Sequence, residues 1–469
     1  MSTSYALPPS HRGTQSIQPD VMTEIRSRLE GDRYHPEKSP KGIIDLGSAT
    51  NELMLEDLAK WTRCNLKKGE WKRGLGNNDA VCSPELLGSG ADFMNDHFKV
   101  RIPLTPNNML AANSTAKLLD ALIYSIADEG ESILVPTPSS SIVLEQASAR
   151  NNVSLVEVPC DDIPEERFAR SNPRDDKPTP KTTSPSPIVT RLEAAIVREL
   201  NGGRRVAGIL LANPEEPIGR CYASHVLLQI SQLCAAHKIH LVVDETYALS
   251  SVDSFHSMMS LGLDSNLSNV HVLWGMSKDF GLEGLSIGFL ATYNGRIREA
   301  MRTSSTFGQV SSFSATVATK LLSDKKYLRN HYCITLNRRL KKRRILVEAE
   351  LERRDIPFVK GDSGFFTLVD LSDWMDPLFA KHGRDGELDL LEYLMDNGVY
   401  LEPGATFSSK TPGHFLRLSF GGDEHTLKTG IQRLFRCLRA LDDKEEPFTS
   451  DDLAPYWPPH RHMAHLNIV

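Results

Sequence analysis

The sequence predicts an α/β fold, a mostly parallel sheet packed between helices, followed by a smaller α+β region. Short apolar runs recur at Ile133 to Val135, Val153 to Val158, Val206 to Ala212, Ile239 to Val243, Val270 to Trp274 and Gly288 to Tyr293. Runs of that length, apolar at nearly every position, suit strands buried on both faces. Helical stretches lie among them at Ser114 to Ala127, Ser224 to His237 and Gln309 to Leu322, and strands alternating with helices build parallel sheets. The texture then changes. A long charged helix over Leu336 to Arg353 precedes short elements at Gly364 to Leu371, Leu388 to Asn397, Val399 to Pro403 and Phe415 to Phe420.

These readings divide the chain into an N-terminal arm (1–40), a large domain (41–325), a small C-terminal domain (326–440) and a tail (441–469). Residues 172–187, rich in Pro, Ser, Thr, Lys and Asp, predict a flexible surface insertion. A chain of 469 residues with 40% hydrophobic content suffices for one large and one small domain. The net charge of -6 supplies no attractive field for nucleic acid or acidic membranes. Apolar runs end near strand length, so no membrane span is expected, and the first residues lack the basic and apolar regions of a signal peptide. Seven scattered cysteines without metal spacing read as reduced thiols of a cytoplasmic protein. His460, His462 and His465 have no partner cysteines, so no metal is expected, and the basic run Arg338 to Arg344 reads as a solvated helix face.

Chemistry concentrates in Trp274-Gly275-Met276-Ser277-Lys278-Asp279-Phe280-Gly281-Leu282-Glu283-Gly284-Leu285. A lysine there stands at the mouth of a buried sheet, where loss of water frees an amine to form a Schiff base. Upstream are Asn213-Pro214-Glu215-Glu216-Pro217-Ile218-Gly219 and Asp244-Glu245-Thr246-Tyr247-Ala248, each following an apolar run; downstream is Arg417 in Phe415 to Phe420. That ordered set resembles the fold-type I pyridoxal phosphate enzymes of the class I/II aminotransferase family. The segment Gly42 to Leu53, the run Val135-Pro136-Thr137-Pro138 and Ser277-Lys278-Asp279 with Gly281 and Gly284 are similar to the 1-aminocyclopropane-1-carboxylate synthase-like branch.

The resemblance, which spans roughly residues 40 to 440, implies aminotransferase fold type I with a seven-stranded sheet, pyridoxal 5'-phosphate and a homodimer acting on a small amino-acid-like substrate. Lys278 would hold the cofactor and move the Cα proton, and Asp244 would keep the ring nitrogen protonated so that the ring acts as electron sink. Asn213 and Tyr247 would face the cofactor's phenolic oxygen, with Ser277 and the helix start Ser114, Thr115 and Ala116 at its phosphate. Arg417 would grip the substrate α-carboxylate, near Ala49 and Thr50.

Departures from the family pattern are equally specific. Ser286 stands where the family carries a phosphate-binding arginine, and Gly275 where the branch has a second serine. Ser139-Ser140-Ser141 replaces the stacking aromatics, and Ala80 aligns with a tyrosine contributed across the dimer; Lys72 or Arg73 of the partner are possible substitutes. Thr50 replaces a glutamate that would answer a cationic sulfonium, which argues against S-adenosylmethionine. The expected reaction is Cα deprotonation with elimination of a β or γ leaving group, as in a carbon–sulfur lyase. Transamination, and a non-catalytic relative with a weakened cofactor site, remain the alternatives.

Overall fold

The computed structural model describes residues 9–10, 21–76, 83–140, 148, 150–160, 184–251, 255–375, 386–407 and 415–443. In chain order the strands are β1 (Ile44–Asp45), β2 (Met109–Ala112), β3 (Ser132–Thr137), β4 (Ser154–Pro159), β5 (Val206–Ala212), β6 (His240–Asp244), β7 (Val270–Gly275), β8 (Gly288–Thr292), β9 (Phe366–Asp370), β10 (Val399–Tyr400), β11 (Glu402–Pro403) and β12 (Phe415–Ser419). Seven form one sheet in the order β2-β8-β7-β6-β5-β3-β4. The pairs from β4 through β7 are parallel, while β8 runs against both β7 and β2. Six of the seven match the apolar runs to within about two residues. The seventh, β2, reads Met-Leu-Ala-Ala; it has no β-branched residue to mark it as a strand.

Alternation along the strands divides the apolar side chains between two cores. Leu134, Ile209, Leu211, Leu241, Val243, Val272 and Trp274 pack on one face, and Ile133, Val135, Leu210, Val242, Leu273 and Leu290 on the other. Each such side chain contributes roughly 1.5–3 kcal/mol on burial. With both faces closed, the open end of the sheet is where the parallel strands finish, at Ala212, Asp244 and Gly275.

Towards the C-terminus, β11, β12 and β9 form an antiparallel sheet with Glu402 opposite Arg417. Strand β1 pairs in parallel with β10. The Leu46 N–H donates to Tyr400 O at 2.9 Å, and Ser419 N–H donates to Leu46 O at 2.6 Å. The chain leaving β1 therefore runs beside β12 and on to the open end of the large sheet. It is bonded to strands on the C-terminal side although it precedes the large sheet in sequence.

Within the N-terminal arm, helix Val21–Gly31 places Ile25 and Leu29 against Leu391, Met395 and Tyr400. Two further expectations change. The basic run is not a solvated face throughout, since Arg339 pairs with Asp57 at 2.6 Å, Arg343 with Glu424 at 3.0 Å, and Arg344 donates to Ser363 O at 2.7 Å. Helix Pro187–Asn201 begins at the last residue assigned to the insertion. Residues 172–183 of that insertion, Ala80, Ser141, the three terminal histidines and the tail from 444 lie outside the described residues.

After Lys278 the backbone turns at Gly281, whose φ is +65°, and an added Cβ would lie 1.8 Å from Asn51 O. Gly281→Ala is expected to destabilise the protein by more than about 1 kcal/mol, because the turn requires both the left-handed conformation and the close approach. Urea unfolding midpoints check this; an unchanged midpoint would mean the turn can relax.

Candidate active site

Strand β7 ends at Gly275, and the next turn, Met276–Asp279, carries Ser277 and Lys278. A Cβ at 275 would meet Thr115 Cγ2 at 2.8 Å and Ile287 O at 3.1 Å, so the backbone approach that presents the lysine leaves no room for the expected serine. Asp279 fixes the turn from behind by accepting from Trp274 Nε1 at 2.9 Å and from Leu249 N–H at 3.0 Å. From the other side Asn51 Nδ2 donates to Lys278 O at 2.8 Å and to Asp279 O at 3.3 Å. Lys278 Nζ donates to Ala49 O at 2.8 Å and lies 3.4 Å from Glu283 Oε1. Its side chain is 31% exposed, so the amine opens onto the site and is not closed away from water as expected.

The site is a cavity of about 360 Å³ at the ends of β5, β6 and β7. Asp244 forms part of its wall and accepts from Thr246 N–H at 3.0 Å; burial pushes its carboxyl up to about 6. Tyr247 packs edge-on against Phe365 and Phe366, and its buried hydroxyl has no partner in hydrogen-bonding geometry. Burial, with the Glu216 charge second, holds that phenol well above its usual range. Thr115 and Ala116, the first turn of helix Thr115–Ile126, reach the cavity together with Ser277. Ser114 does not; its Oγ caps the helix by accepting from Lys117 N–H at 3.0 Å.

Arg417 also reaches the cavity, but it is not free. Its Nε and Nη2 donate to Gly47 O at 3.1 and 2.8 Å, its Nη1 donates to Glu216 Oε1, and its Nη2 lies 3.8 Å from Glu402 Oε2. Burial opposes the charge, and Glu216 and Glu402 outweigh it, so the guanidinium is held more firmly charged than usual. Phe407 lies 5.0 Å from the guanidinium, ring centre to Cζ.

Three sequence expectations fall elsewhere. Asn213 is buried and turned away, its Oδ1 accepting from Tyr222 N–H at 2.9 Å and its Nδ2 donating to His256 O at 3.0 Å. Glu216, three residues on, takes the wall position instead. Thr50 lines a separate cavity of about 240 Å³ with Arg33, Ser419 and Gly422, whereas Ala49 stays in the first. Ser286 is exposed, with φ +49°, and is not part of the cavity wall. Ser139 and Ser140 do line it, and Ser139 N–H donates to Phe407 O at 2.8 Å. The signal for Glu216 was present, since the quoted turn Asn213 to Gly219 contains it; its partner lies 201 positions away.

The donor set fits pyridoxal phosphate. It offers an amine for the aldehyde at Lys278, a carboxyl for the ring nitrogen at Asp244, an unpartnered hydroxyl at Tyr247, and a helix N-terminus with hydroxyls at Thr115 and Ser277 for the phosphate.

Asp244 makes a stability prediction for the cofactor-free protein. A folded pKa above the unfolded value means that the native state holds its proton longer; the stability is complete below about pH 4 and is lost as pH rises through about 6. Asp244→Asn keeps an acceptor for Thr246 N–H and removes the charge. At pH 7–8 it is therefore expected to be more stable than the parent by about 1–3 kcal/mol, a gap that closes below pH 4. Thermal melts of both proteins across that range decide it; a gap that grows toward low pH would contradict the assignment.

Comparison with known proteins identifies the family. The family described as "Aminotransferase class I and II" matches residues 41–434. A "1-aminocyclopropane-1-carboxylate synthase-like protein 1" of Mus musculus is 30% identical over 421 residues, covering 87% of this chain and 78% of that one. A "probable inactive 1-aminocyclopropane-1-carboxylate synthase-like protein 2" of the same organism is 27% identical, covering 87% and 68%. A "1-aminocyclopropane-1-carboxylate synthase" of Nicotiana tabacum is 26% identical, covering 89% and 84%. Among solved structures, a Thermus thermophilus aspartate aminotransferase with maleate superposes with a TM-score of 0.69 at 19% identity, covering 92% of this chain and 100% of that one. The chain thus belongs to the class I and II aminotransferase family, on its 1-aminocyclopropane-1-carboxylate synthase-like branch, and is a pyridoxal phosphate-dependent enzyme.

Proposed function

We propose that this enzyme removes the Cα proton of an amino acid or aminoacyl conjugate and expels a β or γ substituent, in the manner of a carbon–sulfur lyase. The observation that carries this reading is the setting of Lys278, whose Nζ lies 2.8 Å from Ala49 O and 3.4 Å from the half-exposed Glu283 carboxylate. An amine beside an acid that opens to solvent can take a proton from Cα and hand it on. In elimination that proton departs, whereas in transamination it is returned to the cofactor. When bound, pyridoxal phosphate supplies the electron sink for the charge left at Cα. Asp244 would hold the ring nitrogen's proton, Tyr247 would donate to the phenolic oxygen, and Ser277, Thr115 and Ala116 would bind the phosphate. Convergence of these groups on one cavity weighs against a non-catalytic relative. We further propose a homodimer, on family resemblance, and a cytoplasmic setting, to which the absence of a disulfide among the six described cysteines adds support.

Lys278→Ala is expected to lose the borohydride-sensitive visible absorbance of the loaded protein. It should also lose roughly 10²–10⁴-fold in exchange of the substrate's Cα hydrogen with solvent deuterium, with its circular dichroism unchanged. Products from S-alkyl cysteine derivatives, offered as acids and as amides, then separate the reactions. Ammonia and free thiol mark elimination, while a carbonyl product with the amino group left on the cofactor would establish transamination instead.

A further inference from the structure

We propose that the site takes an amino compound whose α-carboxyl is masked as an amide or ester, and that Glu216 excludes the free acid. The inference builds on the Cα-deprotonation reading above and names the substrate class for the same cavity.

A guanidinium grips a carboxylate along one of two edges, Nε with Nη2 or Nη1 with Nη2. In Arg417 both are engaged. The first edge donates to Gly47 O at 3.1 and 2.8 Å. On the second, Nη1 donates to Glu216 Oε1 and Nη2 faces Glu402 Oε2 at 3.8 Å. Only 6% of the Arg417 side chain and 15% of the Glu216 side chain are exposed, so the pair is largely shielded from water.

The backbone that carries Glu216 is held in place. It sits in a turn closed by Glu215 N–H donating to Arg220 O at 2.8 Å and by Gly219 N–H donating to Glu215 O at 2.8 Å. A substrate carboxylate would exchange one anion for another on Arg417. It would also strip Glu216 of its only cationic partner, leaving that carboxylate to the Tyr247 hydroxyl beside Asp244 and Glu402, which line the same cavity. Glu402 is held at the cavity by Tyr400 OH, which donates to it at 2.8 Å. The cofactor phosphate adds further negative charge when bound.

A masked carboxyl meets none of these penalties. An amide or ester carbonyl needs only a single donor, and an amide N–H can donate to the lone pairs that Glu216 keeps beyond its bond to Arg417. Masking also helps the chemistry, because a neutral carbonyl next to Cα withdraws electrons, whereas a carboxylate opposes the departure of the proton.

The test compares S-ethyl-L-cysteine with S-ethyl-L-cysteinamide, titrated into the cofactor-loaded protein and followed by cofactor absorbance, a reading of binding and not of turnover. The amide is expected to bind tighter by roughly 100-fold, the scale of a like-charge mismatch in a shielded site. Glu216→Gln, of the same shape without the charge, is expected to bring the acid in and narrow that ratio by at least about tenfold. Equal or tighter binding of the acid by the parent protein overturns the proposal, and that comparison needs no variant. A Glu216→Gln protein that binds cofactor but keeps the parent ratio overturns the role of Glu216. The two readings fail separately: an amide that binds yet retains its Cα hydrogen in deuterated solvent sinks the deprotonation reading alone, and an acid that binds well and exchanges sinks this one alone.

Discussion

The passage of the Gly47–Asn51 segment between the two sheets is the constraint on which the site depends. Gly47 O accepts two bonds from Arg417, Ala49 O accepts from Lys278 Nζ, and Asn51 Nδ2 holds the Lys278 and Asp279 carbonyls. Pairing of β1 with β10 behind it and the Glu52 N–H bond to Gly421 O at 2.8 Å ahead of it fix the segment at both ends. Lysine and arginine come from elements 139 positions apart, and neither is held in place by its own strand alone. What aligns them is a third piece of backbone whose carbonyls face both. A change there would move both cations at once, because the bonds to both are made by backbone carbonyls of the segment.

Buried carboxyls behind the strand ends show which acid is left for function. Asp279 has both oxygens engaged, by Trp274 and Leu249, and burial holds it far above the usual carboxylate range. Glu245, which burial pushes up to about 8, accepts from Met258 N–H at 2.6 Å. Both face inward and serve the fold. Asp244 differs in that one side meets the cavity, so a cation placed there would find a carboxyl partner ready and would relieve the cost of keeping that group in a dry place. Burial alone therefore does not identify the functional acid; burial with one open side does.

How far the sequence discloses this arrangement depends on the range of the forces involved. Apolar strands announce themselves because nearly every side chain on them is buried, and Asp244, Tyr247 and Lys278 reach the cavity because each ends or follows such a strand, with Arg417 entering from the middle of β12. Strand β2 stays hidden, since a four-residue edge of methionine, leucine and two alanines has no strand signature. The exchange of Asn213 for Glu216 is hidden for a different reason. A turn with two prolines presents either residue equally well in sequence, and only the fold shows which side chain is already committed to Tyr222 and His256. Thr50 and Ser286 fail similarly, because one residue of backbone rotation sends a side chain to the neighbouring cavity or to solvent.

The departure at Gly275 is tied to the helix beside it. A serine at 275 would collide with Thr115, and Thr115 with Ala116 forms the first helical turn at that end of the cavity. The bare Gly275 thus lets the helix N-terminus approach β7, replacing one hydroxyl by another, by backbone N–H groups and by the partial positive charge of the helix end, worth about half an elementary charge. That exchange would keep donors available to a phosphate but would not bring the full charge of an arginine. With Ser286 turned to solvent, the cations lining the cavity among the described residues are Arg26, Lys278 and Arg417, matched against Glu216, Asp244 and Glu402. A doubly negative phosphate enters a pocket already near neutrality. The same balance that leaves little net positive charge for the phosphate would also oppose a second anion on the substrate.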